Sequence, residues 1–249
     1  MVDNMKIEKY QGCGNDFIIT EEKITQSKII KKLCHHQLGF GADGLIYFNR
    51  MNNSVKFFNS DGSKANVCGN GLRCLGYYLF RQNLFYKDFT IKCENKKYLL
   101  TIISKSPFII KVDFPLKKLL IKETTLYLNE KNYNVYLINV GNSHAIIFNQ
   151  QGTEEIAHQI IDKLGDININ FVNFLSNKEI SVKTFERGVG FTSSCGSGSL
   201  ASVIIANYLH LVDQEVKIKV AIGELKVNLT NAYSLIGSAE FVYRGDNDE

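Results

Sequence analysis

The sequence predicts an α/β (α+β) protein of two pseudo-symmetric lobes, each a mostly antiparallel sheet wrapped around one central helix, with a site in the cleft between them. Three observations lead there. The first is an internal repeat at an offset of 127 residues: Ser54-Val55-Lys56-Phe57-Phe58 recurs as Ser181-Val182-Lys183-Thr184-Phe185, Gly14-Asn15 as Gly141-Asn142, and Cys68-Gly69-Asn70-Gly71 as Cys195-Gly196-Ser197-Gly198. The shared offset reads as two copies of one unit with no insertion or deletion between the anchors. The second is a run of short β-like segments separated by turn signals such as Asp43-Gly44, Asp61-Gly62 and Gly152-Thr153. The third is a helical apolar pattern directly after each repeated cysteine.

Taken in order, strands are expected at 17–20, 45–48, 55–58, 89–93, 98–103 and 108–112 in the first half. The second half offers 135–140, 145–148, 180–185, 215–220 and 225–229. Helices are expected over 24–38 and 153–164, each with a polar face and an apolar stripe. Residues 71–81 carry Leu72, Leu75, Tyr78 and Leu79 at helical spacing. Residues 199–211 are apolar almost all round, as in a helix enclosed by protein. Pro115, before Leu116-Lys117-Lys118, marks the domain boundary. The expected lobes are therefore 1–115, joined by a returning strand in 239–249, and 116–238.

With 45% hydrophobic and 22% charged residues, the chain has the composition of an ordinary globular protein. Its net charge of +4 is spread along the sequence without a basic stripe, which argues against nucleic-acid binding. No segment reaches membrane-spanning length and the N-terminus lacks an apolar leader, so the expectation is a cytoplasmic protein with no membrane partner. Its six cysteines would then be reduced. They form no Cys-x-x-Cys pair, and Cys34-His35-His36 reads as ordinary helix residues, so no metal site is expected. Gly39-Phe40-Gly41-Ala42-Asp43-Gly44 matches the dinucleotide fingerprint by letter, but neither the strand before nor the helix after it is present.

Cys68 and Cys195 carry the chemistry. A lone cysteine is usually a small buried hydrophobe. Here each sits where a Gly-x-Gly segment opens a helix, and the free N–H groups at that end favour a thiolate. One thiolate can take a proton from carbon while a thiol on the far face returns one, with the roles exchanged in reverse. The backbone of Gly69-Asn70 and Gly196-Ser197 could hold an α-carboxylate and the charge that develops beside it. Asn59 and Glu186 occupy matching places nine residues before each cysteine; Asn59 is also sufficient as a turn residue. Glu186-Arg187 suits the ammonium and carboxylate of a zwitterion. Asn15, Asn142 and Asn168 add neutral donors and acceptors, and His144 follows Asn142 by two residues. Paired thiols make pyridoxal phosphate unnecessary, and no cofactor is expected.

Gln11–Phe17, Phe58–Gly62, Cys68–Cys74, Gly141–His144, Glu186–Gly190 and Cys195–Gly198 resemble, in order and spacing, the motifs of the diaminopimelate epimerases, across essentially the whole chain. The resemblance implies two α/β lobes and cofactor-free inversion of one α-carbon of diaminopimelate, LL to meso, on the route to lysine and peptidoglycan. It implies Cys68 and Cys195 as the acid/base pair, assisted by His144 and Glu186. Asn15, Asn59, Asn142, Asn168, Glu186 and Arg187 would contact the substrate's two amino-acid ends, and the backbones of Gly69, Asn70, Gly196 and Ser197 would hold the reacting carboxylate. It further implies a homodimer, with Tyr243 at its interface. Three positions depart from the pattern: Gly44 for a substrate-contacting glutamine, Phe191 for an acid and Ser143 for a proline. Proline and hydroxyproline racemases of the same fold are the alternative, but their substrate has one charged end, whereas Asn168 and Glu186-Arg187 suit a second zwitterionic end.

Overall fold

The computed structural model describes residues 5–247; the outermost residues of the expected lobes, 1–4 and 248–249, lie outside them. The chain forms β1 (Met5–Gly12), β2 (Asn15–Thr20), α1 (Ser27–Cys34), β3 (Gly44–Asn49), β4 (Ser54–Asn59), β5 (Lys64–Ala65), α2 (Gly69–Arg81), β6 (Asp88–Cys93), β7 (Lys96–Lys105) and β8 (Phe108–Phe114). It continues with β9 (Lys122–Leu128), β10 (Lys131–Asn139), β11 (Ser143–Phe148), α3 (Glu154–Leu164), β12 (Asn168–Ser176), β13 (Glu179–Glu186), β14 (Gly190–Thr192) and α4 (Gly196–Tyr208). The last strands are β15 (Glu215–Lys219), β16 (Glu224–Asn228), β17 (Tyr233–Ser238) and β18 (Glu240–Asn247). Two compact units result, Met1–Pro115 with Gly237–Glu249, and Leu116–Ile236.

In unit 1, β1 lies antiparallel to both β18 and β2. The β2–β3 pair is parallel, with α1 as its crossover, and β3–β4, β6–β7 and β7–β8 are antiparallel. Helix α2 packs against β1, β2, β7, β8 and β18, and ten of its residues are buried. Unit 2 repeats the plan. There β10 is antiparallel to β9 and β11, β11–β12 is parallel through α3, and β12–β13 and β15–β16 are antiparallel. Helix α4 packs against β10, β11, β12, β13 and β16. All of its residues from Gly196 to Ala206 are buried, which is why its sequence has no polar face.

The repeat is less uniform than its constant offset suggests. Phe17 pairs with Gly44, but His144, 127 residues later, pairs with Asn168 rather than with Phe171. The next pair, Leu45 with Phe58, is matched by Ile169 with Phe185. Three residues are thus missing before β12 and restored in the β12–β13 hairpin. The expectation of no insertion or deletion is corrected, because two opposite changes cancel. Asn168 is the counterpart of Gly44, and Asn170 of Ile46.

Three element limits also differ. The first helix is only Ser27–Cys34. His35 leaves the helical region, and its Nδ1 accepts the N–H groups of Gln37 and Leu38 at 3.1 and 3.2 Å, folding 35–38 into a turn. The other two helices begin earlier, at Gly69 and Gly196, because each cysteine is itself the N-cap. Strand β1 begins where the sequence reads as polar and strand-like. Its Glu8 is buried at 4% exposure, accepting from Arg244 Nε at 3.1 Å and Gln82 Nε2 at 3.1 Å while Arg81 stands 3.4 Å away.

Candidate active site

The first half-site stands at the N-terminus of α2. Cys68, in extended backbone, is the N-cap, and its sulfur accepts the Gly71 N–H at 3.5 Å. Gly71 has no alternative residue: a Cβ there would lie 2.7 Å from the Phe57 ring and 3.2 Å from Ile46 Cδ1. Asn15, at the start of β2, places its Oδ1 3.7 Å from the Cys68 sulfur and 3.5 Å from Asn70 Nδ2. The Asn15 amide is fixed because its Nδ2 donates to Asp43 Oδ2 at 2.7 Å, the same oxygen that accepts the Asp16 N–H. Asp16 in turn is paired with Lys9 at 2.7 Å.

Behind these residues lies Arg73, fully buried. It donates to Asn70 Oδ1 at 2.9 Å, the Ser238 carbonyl at 3.2 Å and the Cys13 sulfur at 3.6 Å. The guanidinium therefore sets which way the Asn70 amide points. Its counterpart in unit 2 is Leu200. We expect Arg73→Leu to lower stability by about 2–4 kcal/mol, since it removes the donor to the buried Asn70 amide and to the Ser238 carbonyl; urea unfolding monitored by circular dichroism measures this.

The second half-site stands at the N-terminus of α4, where Cys195 is the N-cap, 6% exposed. The Ser197 hydroxyl lies 3.5 Å from its sulfur and 3.0 Å from Nε2 of His144, which is fully buried. Nδ1 of His144 lies 3.0 Å from Asn170 Nδ2. Burial without a charged partner pushes the His144 pKa down to about 3, so the ring is neutral at any ordinary pH. A histidine lowered in the folded state takes up a proton only on unfolding as pH falls below about 6.5. Its contribution is complete above that pH and is lost towards pH 3, at about 1.4 kcal/mol per pH unit. Between pH 6.5 and 5 the protein should lose about 2 kcal/mol through this group. Denaturant melts over that range check it, and His144→Gln should flatten the slope.

The remaining candidates are each held by local partners of their own. Asn59 closes the turn after β4, its Nδ2 donating to Ser63 Oγ at 2.9 Å. Asn168 Oδ1 accepts the Arg187 N–H at 3.1 Å, and its Nδ2 donates to the Ser143 carbonyl at 3.4 Å. The Arg187 guanidinium is half-exposed and paired with Asp166. Glu186 accepts from Thr192 Oγ1 at 2.7 Å. Asn142 sits in the turn before β11, where its carbonyl accepts the Val140 N–H at 3.1 Å. Tyr243, on β18, donates to the Phe40 carbonyl at 2.5 Å.

A family model described as diaminopimelate epimerase matches residues 7–113, within unit 1, and again 136–242, which covers most of unit 2 and the start of the strand that returns to unit 1. The chain belongs to the diaminopimelate epimerase family. The diaminopimelate epimerase of Clostridium perfringens is 34% identical to it, over 97% of this chain and 98% of that one. Among solved structures, a phenazine biosynthesis protein of the PhzF family from Bacillus anthracis superposes with a TM-score of 0.75 at 14% identity, covering 99% of both chains. A probable proline racemase from Agrobacterium radiobacter gives 0.74 at 10% identity, covering 97% of this chain and 92% of that one. Those two share the fold.

Two departures from the family pattern have a structural cause. A Cβ on Gly44 would lie 2.5 Å from the Phe58 carbonyl oxygen, so the backbone here leaves no room for a side chain. Phe191 packs edge-on against Phe185 at 5.1 Å and lies under the Lys183 ammonium at 3.8 Å, extending the apolar cluster beside α3. Arg73, Asn170 and Thr184 were not singled out from the sequence. Position 184 held a signal, since a threonine stands where the repeat has Phe57.

Proposed function

We propose that this chain is a cofactor-independent epimerase that interconverts LL- and meso-diaminopimelate by acid/base catalysis with two cysteines. The observation that carries the reading is the placement of Cys68 and Cys195 as N-caps of equivalent helices in two copies of one unit. Inversion at carbon needs a proton removed from one face and another delivered to the opposite face. A thiolate and a thiol do both, and the reverse reaction exchanges them. Each sulfur stands at the positive end of a helix, whose N–H groups favour its anionic form.

The amides of Gly69-Asn70 and Gly196-Ser197 would hold the reacting carboxylate and the enolate-like charge that forms beside it. Asn15, Asn59, Asn142, Asn168, Glu186 and Arg187 would bind the two amino-acid ends. The expected setting is a cytoplasmic homodimer with Tyr243 near its interface, serving lysine and peptidoglycan precursor synthesis, without nucleic-acid or membrane partners. Among the described residues no helix is long and apolar enough to cross a membrane.

The test is the uptake of deuterium at the inverted carbon of the epimer formed from LL-diaminopimelate in deuterated water, run beside L-lysine and L-proline. Diaminopimelate alone should incorporate deuterium at an appreciable rate. Faster exchange into proline would favour the racemase reading instead.

A further inference from the structure

The two half-sites are built on the same strands and helices but are wired differently behind the sulfur. In unit 1, Gly71 of α2 rests on the apolar pair Ile46 and Phe57. In unit 2 their counterparts are Asn170 and Thr184, both buried, and Gly198 of α4 rests on them. A Cβ on Gly198 would lie 2.1 Å from Asn170 Oδ1 and 3.3 Å from Thr184 Oγ1, so the missing side chain is what lets Asn170 pass beneath the start of the helix. Burying two polar side chains costs stability unless they are fully hydrogen-bonded. Here they are, and the bonds have a direction.

That direction follows from the one partner whose role is fixed. Asn170 Nδ2 lies 3.4 Å from the Ala145 carbonyl, which can only accept, so the atom there is the nitrogen. The same nitrogen faces His144 Nδ1 at 3.0 Å, so Nδ1 must accept. The neutral ring then carries its proton on Nε2. Nε2–H donates to Ser197 Oγ at 3.0 Å. With one of its two lone pairs so engaged, Ser197 can turn its own proton to the Cys195 sulfur at 3.5 Å. At the other end, the Thr184 hydroxyl donates to Asn170 Oδ1 at 2.9 Å and prevents the amide from turning over. Every bond from Thr184 to Ser197 thus runs towards the sulfur, and leaves the Ser197 proton to complete the chain. Beside Cys68 the Asn15 side chain offers the reverse, an Oδ1 acceptor at 3.7 Å, locked by Asp43.

We propose that Thr184 and Asn170 are positioning residues for Cys195: they hold His144 as its Nε2–H tautomer, which turns the Ser197 hydroxyl proton onto the Cys195 sulfur and favours the thiolate there. His144 accordingly acts as a fixed neutral donor and exchanges no proton with substrate. A donor aimed at sulfur stabilises the anion, and removing it raises the thiol pKa. The asymmetry bears on the acid/base roles of the proposed epimerase, on which this inference rests, but its test does not use the reaction.

Nitrogen NMR of protein labelled in histidine should find His144 neutral at pH 7, with Nε2 protonated and Nδ1 bare. Asn170→Asp replaces the donor by an acceptor and should put a proton on Nδ1. In protein labelled at cysteine Cβ, the Cys195 carbon resonance reports its ionisation, with assignment from Cys195→Ser. Thr184→Val should raise its midpoint by about one pH unit, a tenfold smaller thiolate fraction near neutrality, while the Cys68 midpoint stays. Thr184→Ser, which keeps the hydroxyl, should restore it. The proposal is overturned if wild-type His144 carries its proton on Nδ1, or if Thr184→Val leaves the Cys195 midpoint in place or moves both cysteines alike. Should the valine variant fail to fold, the wild-type tautomer decides alone. A correct tautomer and midpoint in a protein inactive on diaminopimelate would refute only the assigned substrate.

Discussion

Cys68→Ala and Cys195→Ala should each abolish epimerisation while leaving the protein folded. On the proposed mechanism each thiol would serve one face of the substrate carbon, and no second acid or base is assigned to that face. The expected loss is at least about a thousandfold in kcat, within the range general acid/base groups contribute. Serine at either position should leave a trace at most, since an alcohol is a far weaker acid than a thiol. The other four cysteines provide the control. Cys13, Cys34, Cys74 and Cys93 are all buried, and burial pushes the Cys34 thiol up to about 12 and that of Cys93 to about 11. They are therefore neutral packing groups, and alanine there should cost about 1–2 kcal/mol of stability with turnover intact. Steady-state rates and unfolding curves of the six variants separate the two classes.

The second large effect is expected at Arg187. Its guanidinium is half-exposed, carries a carboxylate partner in Asp166, and follows the Glu186 that ends β13. A planar fork of this kind grips a substrate carboxylate through two parallel hydrogen bonds. Arg187→Ala should lower kcat/KM for diaminopimelate about a hundredfold, from ~3 kcal/mol of charge-assisted bonding. Arg187→Lys keeps the charge but loses the fork and should fall well below wild type too. Lysine lacks the distal carboxylate, so it should be a very poor substrate of the wild type and indifferent to either substitution. Equal losses on both substrates would place Arg187 in the fold rather than at the distal end.

Much of the architecture was legible because it is written twice. The matched Ser-Val-Lys and Cys-Gly segments located two equivalent strands and helices, and the apolar circumference of α4 announced a helix enclosed on all sides. The sequence said least where burial is polar. Strand β1 carries Lys6, Glu8 and Lys9, and its place between β18 and β2 depends on partners such as Arg244 that lie at the far end of the chain. The two repeated cysteines stood out in the sequence, but the buried polar groups behind them did not. Arg73 looks like a surface residue of an amphipathic helix until its three neutral partners are seen. Asn170 escaped for a different reason. Its repeat partner is Ile46, and the two cancelling three-residue changes place that match off the common offset. A constant spacing between anchors does not guarantee a constant spacing within them.

The central claim is that two different groups exchange protons with opposite faces of one carbon. The measurement that tests it most directly is the isotope content of both isomers after brief incubation of LL-diaminopimelate in deuterated water. With two monoprotic thiols, each meso molecule formed should carry deuterium at the inverted carbon, because its new hydrogen comes from the solvent-equilibrated cysteine. The LL molecules recovered at the same low conversion should remain almost entirely protiated. A meso product that retains the original protium, or LL substrate that gains deuterium faster than product appears, would mean that a single base serves both faces and would contradict the account.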